Sequence, residues 1–554
     1  MTTSSSPSRP SARPGPSTFL ARLLEIPLHP WLVFAFPILS LLAWNIAELY
    51  AVQAGRSLLI SLLVCTILWA GLYGVLRDGE RAALLTSLAG VLIFTYGHLY
   101  DVIEDRTLAS FVIGRHRYLL AGWVGLLAIA AQLVSRWRGP ARPLTKLVNG
   151  MAIVLVAMPL VSLTSFYAAA LRPSSARATR LPSVSLSLDP GEPAPDIYYI
   201  ILDGYARDDY MQADFDFDNS EFIEYLEDQG FYVASRARSN HNWTALSLSS
   251  SLNLTFAQFL GAEMRHGYYP TPFTPFIRDS LVARSLKAIG YQTVGMQSGY
   301  LPTEWVEADA YLGPAPEALL APGEGFRPNA FEGMLLDSTV LQPLLQSKLF
   351  SFAYERTPMR GASYPHDVLR AIILAAFDNL ASMPNRPGPK VVFAHIVAPH
   401  SPFLFAANGQ PLASSEPFTL MEDPQSSGDT RPLYREQAIF ITGKAQETIA
   451  AILEQSDTPP VIILQSDHGS GANRNRDQRT SILNALLIQE DCRSSLYPEV
   501  TPVNTFRIVF NCYFDARLPI VQDEVYWSPW PGDSHYEFTL LPTQQGTPAT
   551  PTAP

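Results

Sequence analysis

Cysteine is scarce in this sequence, with three in 554 residues, and none of the pairs has the CxxC spacing of a cysteine zinc site. Cys65 lies inside an apolar block, where we expect it to be packed. Cys492 and Cys512 lie in the C-terminal part of the chain. If that part is exported, the two can form a disulfide. Two unpaired thiols are the equal alternative.

Basic residues are also in deficit. The 39 Lys and Arg are outnumbered by 50 Asp and Glu, which gives a formal net charge of −11. A general nucleic-acid binder needs a basic face that neutralises phosphates. The charge balance therefore argues against a nucleic-acid partner.

Charged residues are nearly absent from five apolar blocks in the first third of the chain. Each block approaches the roughly 20 residues that a helix needs to cross a bilayer. Buried core helices are the alternative, but five such runs separated by short charged loops favour membrane spans. A cleavable signal peptide fits poorly, because the apolar blocks continue beyond one short apolar region. The predicted spans are 31–52, 57–76, 82–102, 118–137 and 147–171.

The distribution of Lys and Arg around these spans predicts their orientation. Slightly more of them flank the side that holds the N-terminus, which places that side in the cytoplasm. An odd number of spans then places the C-terminal domain outside the cytoplasm. The predicted organisation is a disordered cytoplasmic tail (1–18), a five-helix transmembrane domain (19–172), a Pro- and Ser-rich linker (173–195), a catalytic domain (196–540) and a disordered tail (541–554).

The later part of the chain alternates short β-rich runs with helical patterns. Residues 196–203, 291–297, 390–396 and 460–465 are apolar and typical of buried strands. Helical spacing covers 219–229, 280–289, 433–453 and 503–514. This alternation predicts an α/β domain with a mostly parallel sheet flanked by helices.

Two of the predicted strands end in residues that suit a metal ion. Asp203 follows the first strand, and Asp467 and His468 follow another in the block SDHG. Functional groups collect at the carboxyl ends of parallel strands. Carboxylate and imidazole together suit zinc or manganese. The alternative is that Asp203 caps a turn and His468 is a loop residue.

Further candidate residues lie in two other segments. Thr244 precedes a helix-compatible run, where its hydroxyl is either a nucleophile or only an N-cap. Asn242 begins the sequon that includes Thr244, residues 253–255 form a second sequon, and we assign Asn242 a substrate-binding role. His395 lies near the end of the predicted strand 390–396, and His400 follows that strand. Either can bind or protonate a departing oxygen, or be packed; we favour His400 for that role and assign His395 to substrate binding.

Taken together, these blocks resemble the alkaline phosphatase and sulfatase superfamily. They look most like its membrane-bound branch, which includes lipoteichoic acid synthase and the lipid A phosphoethanolamine transferases. The resemblance covers about residues 196–538 and implies one divalent metal held by Asp203, Thr244, Asp467 and His468. It further implies that Thr244 is the nucleophile, through a phospho-threonine intermediate, and that His400 contacts the transferred group.

The sequence departs from the family pattern at three points. Lipoteichoic acid synthase-like enzymes carry Glu at the position of Asp203, whereas related phosphatases use Asp. Two-zinc members need a further histidine soon after SDHG, and 471–481 contains none, which puts a second metal in doubt. Nothing around Thr244 matches the C/S-x-P-x-R motif of true sulfatases.

The resemblance and the residues predict a membrane-anchored hydrolase or transferase that acts on phosphoryl-linked groups of an envelope lipid or polymer. Its cofactor would be one divalent ion, Mn or Zn in preference to Mg or Ca. A sulfuric ester hydrolase and a non-catalytic membrane-anchored binding protein are the alternatives.

Overall fold

The computed structural model describes most of the chain. The described residues are 25–46, 51–103, 106–108, 111–112, 114–170, 184–188, 194–260, 270, 272–315, 330–345, 364–412, 420, 429–470, 475–529 and 536–542. The predicted tail 1–18 and most of the predicted linker and C-terminal tail lie outside these ranges.

The chain divides into two compact units. The first, here called the helical unit, comprises Met1–Tyr167 together with Arg327–Arg360. The second, the α/β unit, comprises Ala168–Phe326 and Gly361–Pro554. The sequence reading placed 327–360 inside one continuous domain, 196–540. Sequence order alone cannot show that a segment of one domain packs with another.

Five apolar helices make up most of the described helical unit. Four of them are long and apolar enough to cross a membrane, judged by length and composition, and the first has 16 residues. The first helix ends at Trp44, well before the predicted boundary at residue 52, and the Asn45 main-chain N–H and Nδ2 both donate to Leu41 O at its end. The helices are α1 (His29–Trp44), α2 (Ala51–Leu76), α3 (Gly79–Ile103), α4 (His116–Arg136) and α5 (Arg142–Ala170), with the short hairpin β1 (Thr107–Leu108) and β2 (Phe111–Val112) between α3 and α4.

A seven-stranded sheet forms the centre of the described α/β unit. Its strand order is β4-β9-β8-β3-β7-β5-β6, and β8, β3, β7, β5 and β6 run parallel. The predicted class, an α/β domain with a mostly parallel sheet, is confirmed. The strands are β3 (Ile197–Leu202), β4 (Tyr232–Val233), β5 (Gln292–Met296), β6 (Ala310–Leu312), β7 (Lys390–Ile396), β8 (Val461–Gln465) and β9 (Asn484–Leu487), and a separate hairpin pairs β10 (Tyr526–Trp527) with β11 (Thr539–Leu540).

Helices cover both faces of this sheet. Successive residues of a strand point to opposite faces, and β3 shows the result, because Tyr199 packs in one apolar core and Tyr198 in the other. The helices of the first core include α8 (Thr244–Leu252), α9 (Thr274–Arg278), α10 (Leu281–Ala288) and α16 (Pro502–Phe514). Those of the second are α6 (Asp208–Phe215), α7 (Ser220–Asp228), α13 (Tyr364–Ser382) and α14 (Arg431–Gln455).

The strands and helices predicted for the α/β unit all appear, with ends shifted by at most two residues. The strand predicted at 390–396 has those bounds, and the helix predicted at 433–453 extends to Arg431–Gln455. Cys492 and Cys512, left open by the sequence, form a disulfide with a Cα–Cα distance of 5.8 Å. Cys65 is buried and free, as expected.

Candidate metal centre and nucleophile

The strand order brings the predicted site residues together at the carboxyl ends of three neighbouring strands. Strand β3 lies between β7 and β8, all three are parallel, and their carboxyl ends therefore meet. Asp203 follows β3, and Asp467 and His468 follow β8. His395 lies near the end of β7, and His400 lies in the loop beyond it. All five side chains are buried.

Two of these carboxylates each keep one oxygen without a hydrogen-bond partner in the described part of the chain. Asp467 Oδ1 accepts from the main-chain N–H groups of Gly204 (3.2 Å) and His468 (2.9 Å), whereas its Oδ2 has no hydrogen bond. Asp203 Oδ1 is buried and also lacks one. His468 Nε2 lies 3.4 Å from both of these oxygens. Buried carboxylate oxygens are costly without a partner, so the pair fits a divalent cation.

Two histidines have their Nδ1 atoms committed to main-chain carbonyl groups. His468 Nδ1 lies 2.8 Å from Gly469 O, and His400 Nδ1 lies 2.5 Å from Ser401 O. A ring nitrogen that faces a carbonyl carries the proton, so Nε2 is the acceptor of the neutral ring. This arrangement fixes the tautomer in the way that supporting contacts do for metal-binding histidines.

His395 also has Nδ1 as its donor and Nε2 as its acceptor when the ring is neutral. The Thr303 hydroxyl lies 3.0 Å from Tyr300 O, to which it donates, and it therefore accepts from His395 Nδ1 at 2.8 Å. Nε2 of the neutral ring is then an acceptor, and it lies 3.2 Å from Asp203 Oδ2. Two acceptors at this distance need a proton or a cation between them.

Two overlapping groups of residues have the spacing of a cation site. Asp203, His400 and His468 form one, and Asp203, His395 and Asp467 form the other, with the ligand atoms of each group within 4.8 Å of one another. Asp203 belongs to both groups. The sequence predicted one ion, and that number stays a prediction.

The charge state of Asp203 follows from its neighbours. Burial raises the pKa of this carboxyl group. The charge that His400 carries when its ring is protonated, a hydrogen bond from the protonated ring of His395, and the charges of protonated His395 and His468 outweigh burial and hold the pKa below its usual value. The carboxylate is therefore ionised at neutral pH, as a metal ligand must be.

Thr244 lies at the start of helix α8, next to these ligands. It is the first residue of the helix, and Trp243 occupies the N-cap position. Thr244 is therefore not the N-cap, which was the alternative to a nucleophile. Thr244 Oγ1 lies 3.3 Å from His468 Nε2. The N-terminus of a helix attracts anions, so the hydroxyl lies where a negatively charged group and a cation can both bind.

The Asn242 side chain is held by main-chain groups of Ser528. Its Nδ2 donates to Ser528 O and its Oδ1 accepts from Ser528 N, at 2.9 and 2.8 Å, and the side chain is buried. These contacts fix the segment before Thr244, and substrate binding by Asn242 stays a prediction. Asn253, which begins the second sequon, is also buried and donates to Ser249 O and Phe276 O. Neither asparagine is accessible to glycosylation in the folded protein.

Arg479 is a site residue that sequence reasoning missed. It is 5% exposed, its Nε donates to Asn242 O, and its guanidinium stacks over the Trp243 ring at 5.1 Å. Its Nη2 lies 3.2 Å from His468 Nε2, the atom that Thr244 also approaches. The arginine-rich run after SDHG was the available signal.

Helix α14 supplies two supporting side chains that the sequence gave no reason to select. Tyr434 OH accepts from Ala206 N (3.0 Å) and donates to Gly204 O (2.9 Å), which fixes the turn after Asp203. One turn later, Gln437 Nε2 donates to His400 O at 2.9 Å. The same helix therefore positions the loops that follow β3 and β7.

Comparison with known proteins gave matches among solved structures alone: no family model and no curated protein matches the chain. The C-terminal periplasmic domain of EcEptC from Escherichia coli, in complex with Zn, is 11% identical, with a TM-score of 0.39 and coverage of 65% of this chain and 96% of that one. The integral membrane lipooligosaccharide phosphoethanolamine transferase A from Neisseria meningitidis is 12% identical, with a TM-score of 0.35 and coverage of 90% and 96%. BT1596, a 2-O GAG sulfatase, is 11% identical, with a TM-score of 0.33 and coverage of 59% and 72%. Because these TM-scores are below 0.5, the likeness carries no argument about function, which must rest on the residues of the site.

Proposed function

We propose that the chain is a membrane-anchored, metal-dependent enzyme of the alkaline phosphatase and sulfatase superfamily. It transfers or hydrolyses a phosphoryl-linked group, with Thr244 as the nucleophile. Its ligands for one divalent ion are Asp203, Thr244, Asp467 and His468. Manganese or zinc suits this mixture of oxygen and nitrogen donors better than magnesium or calcium.

One observation carries this proposal. Buried carboxylate oxygens of Asp203 and Asp467 lack hydrogen bonds and converge on His468 Nε2, and the Thr244 hydroxyl approaches the same atom. A binding module has no physical reason to hold such a cluster beside a hydroxyl at a helix N-terminus. A bound divalent ion would lower the pKa of that hydroxyl and neutralise charge on a phosphoryl oxygen.

The residues of the chain have separate roles in the proposed reaction. The Thr244 hydroxyl loses its proton to water, its oxygen forms a bond to phosphorus, and the bond from phosphorus to the leaving oxygen breaks. The main-chain N–H groups at the start of α8 stabilise the developing negative charge. His400, whose Nε2 is the acceptor of the neutral ring, binds the departing oxygen or, once protonated, gives it a proton. Water or an alcohol then takes the group from Thr244.

The substrate proposed is a membrane lipid or an envelope polymer. The long apolar helices tether the active site to a bilayer, which raises the local concentration of such molecules. The Cys492–Cys512 disulfide suits an oxidising compartment and supports an extracytoplasmic location of the α/β unit.

The test is peptide mass spectrometry of the full chain in detergent. The protein is loaded with manganese or zinc and incubated with envelope phospholipids, with and without an aryl sulfate as competitor. Thr244→Ala removes the proposed nucleophile, and Thr255→Ala, just beyond the same helix, is the matched control. We expect a phosphoryl adduct on Thr244 in wild type and in the control, and none in Thr244→Ala.

Other outcomes separate the alternatives. Turnover of phospholipid without an adduct on any hydroxyl would remove Thr244 as the nucleophile. Turnover of the aryl sulfate alone would favour the sulfuric ester hydrolase. Stoichiometric metal without any turnover would leave a binding protein as the better description.

A further inference from the structure

Residues 327–360 connect the α/β unit to the helical unit at a second place. The chain belongs to the α/β unit up to Phe326, to the helical unit from Arg327 to Arg360, and to the α/β unit again from Gly361. The described part of this segment, residues 330–345, contains α11 (Ala330–Asp337) and α12 (Gln342–Leu345). We call residues 327–360 the strap.

The strap presents an apolar face to the long helices. Phe331 and Leu335, one helical turn apart, are both buried. They belong to the same apolar cluster as Phe34 and Ile38 of α1 and Phe94 of α3. The face of α11 thus completes a core that the N-terminal helices begin.

A partly buried ion pair joins the strap to α2. Arg56 Nε donates to Glu332 Oε1 at 2.6 Å, and Arg56 Nη2 donates to Glu332 Oε2. The Glu332 side chain is 8% exposed. A carboxylate with so little contact with water needs its partner, because a buried charge without one is strongly unfavourable.

Main-chain hydrogen bonds join the strap to α3. Gly97 N donates to Ser338 O at 3.0 Å, and Val340 N donates to Ile93 O at 2.9 Å. Ile93 and Gly97 are four residues apart, the spacing of one helical hydrogen bond. Such bonds satisfy polar groups of an irregular segment that packs against membrane helices.

We infer that the strap is an internal membrane anchor of the α/β unit. It fills a site on α1, α2 and α3 with its own apolar face, ion pair and main-chain bonds. The α/β unit is therefore attached to the membrane helices twice, through the linker near residue 173 and through the strap. The inference concerns attachment and does not depend on the proposed chemistry.

The test cuts the first attachment and asks whether the second one holds. A protease site is placed in the full chain between residues 173 and 183, and the purified protein is cleaved in mild detergent. We expect the C-terminal fragment, which carries the strap, to co-elute with the fragment of membrane helices. Glu332→Arg and Arg56→Glu should each release it, and the double variant Arg56→Glu/Glu332→Arg should restore co-elution.

A matched control and three possible results test the inference that the strap is an anchor. Glu490→Arg reverses a carboxylate whose side chain is 82% exposed, and it should leave co-elution unchanged. Separation of the wild-type fragments would overturn the inference. Co-elution of both single variants as in wild type would overturn it too, as would failure of the double variant to restore what the single variants lose. Restoration by the double variant shows that loss of the charge pairing, and not the new side chain at either position, causes the release.

Discussion

The replacement Asp467→Asn tests the metal site with little disturbance of the fold. Asparagine keeps an oxygen where Asp467 Oδ1 accepts from the N–H groups of Gly204 and His468. It places an amide nitrogen where the buried Oδ2 has no hydrogen bond. The variant thus removes one metal-facing oxygen and one negative charge, and it retains the local hydrogen bonds.

The size of the effect follows from typical metal affinities. Structural zinc sites with four ligands contribute about 10–16 kcal/mol, so one ligand accounts for roughly 3 kcal/mol. That corresponds to about a 100-fold loss of affinity. Without metal the variant should melt within about 2 °C of the wild type, because the substitution also removes the repulsion between the carboxylates of Asp203 and Asp467.

The assay uses the full chain, stripped with a chelator and refilled with one equivalent of manganese or zinc. Metal content is measured after desalting, and thermal unfolding is measured with and without metal. Asp309→Asn is the control, since this carboxylate accepts from Thr293 N near the amino end of β5, away from the carboxyl ends that carry the site. Equal metal retention in Asp467→Asn and wild type would show that Asp467 is not a ligand.

Three further predictions concern the supports of the site. Gln437→Leu removes the hydrogen bonds that this side chain makes to His400 O and to the buried main-chain N–H groups of Leu404 and Phe405. We therefore expect a loss of about 3 kcal/mol or more in the free energy of unfolding and a lower kcat, and unchanged stability would contradict this. Gly469→Ala brings a methyl group to 2.0 Å from Gln478 O, and we expect a lower Tm and weaker metal retention. Burial lowers the pKa of His241 from 6.5 to about 3. The contribution of His241 to the free energy of unfolding is therefore fully present above pH 6.5 and falls by about 2 kcal/mol between pH 7 and 5. The free energy of unfolding should depend less on pH in His241→Gln. An equal dependence in wild type and variant would show that His241 is not its source.

The sequence by itself determined the elements and their chemistry. The run DIYYIILD is apolar on both faces, which indicates a strand covered on both sides, and β3 packs into two cores. A carboxylate directly after such a strand indicates a cation, and Asp203 and Asp467 both have an orphaned oxygen. These are local properties, fixed by the period of a strand and by the cost of burying charge.

The tertiary structure decided which of these residues meet. The order β8-β3-β7 places His395 and Asp467 on either side of Asp203, although 264 residues separate Asp203 from Asp467 along the chain. Helix packing alone brings Gln437 to the loop of His400, and the fold alone brings Arg479 against Trp243. A local pattern carries no information about such partners.

The strap shows most clearly what the sequence determines and what only the tertiary structure decides. The helix α11 is mostly apolar in sequence with two acidic residues, Glu332 and Asp337, and the sequence does not identify what that helix packs against. The partner of Glu332 is Arg56, which lies 276 residues earlier in the chain. The sequence determines that a buried carboxylate needs a cation, and the packing of distant segments decides which cation it finds, because pairing depends on distance in space and not on distance along the chain.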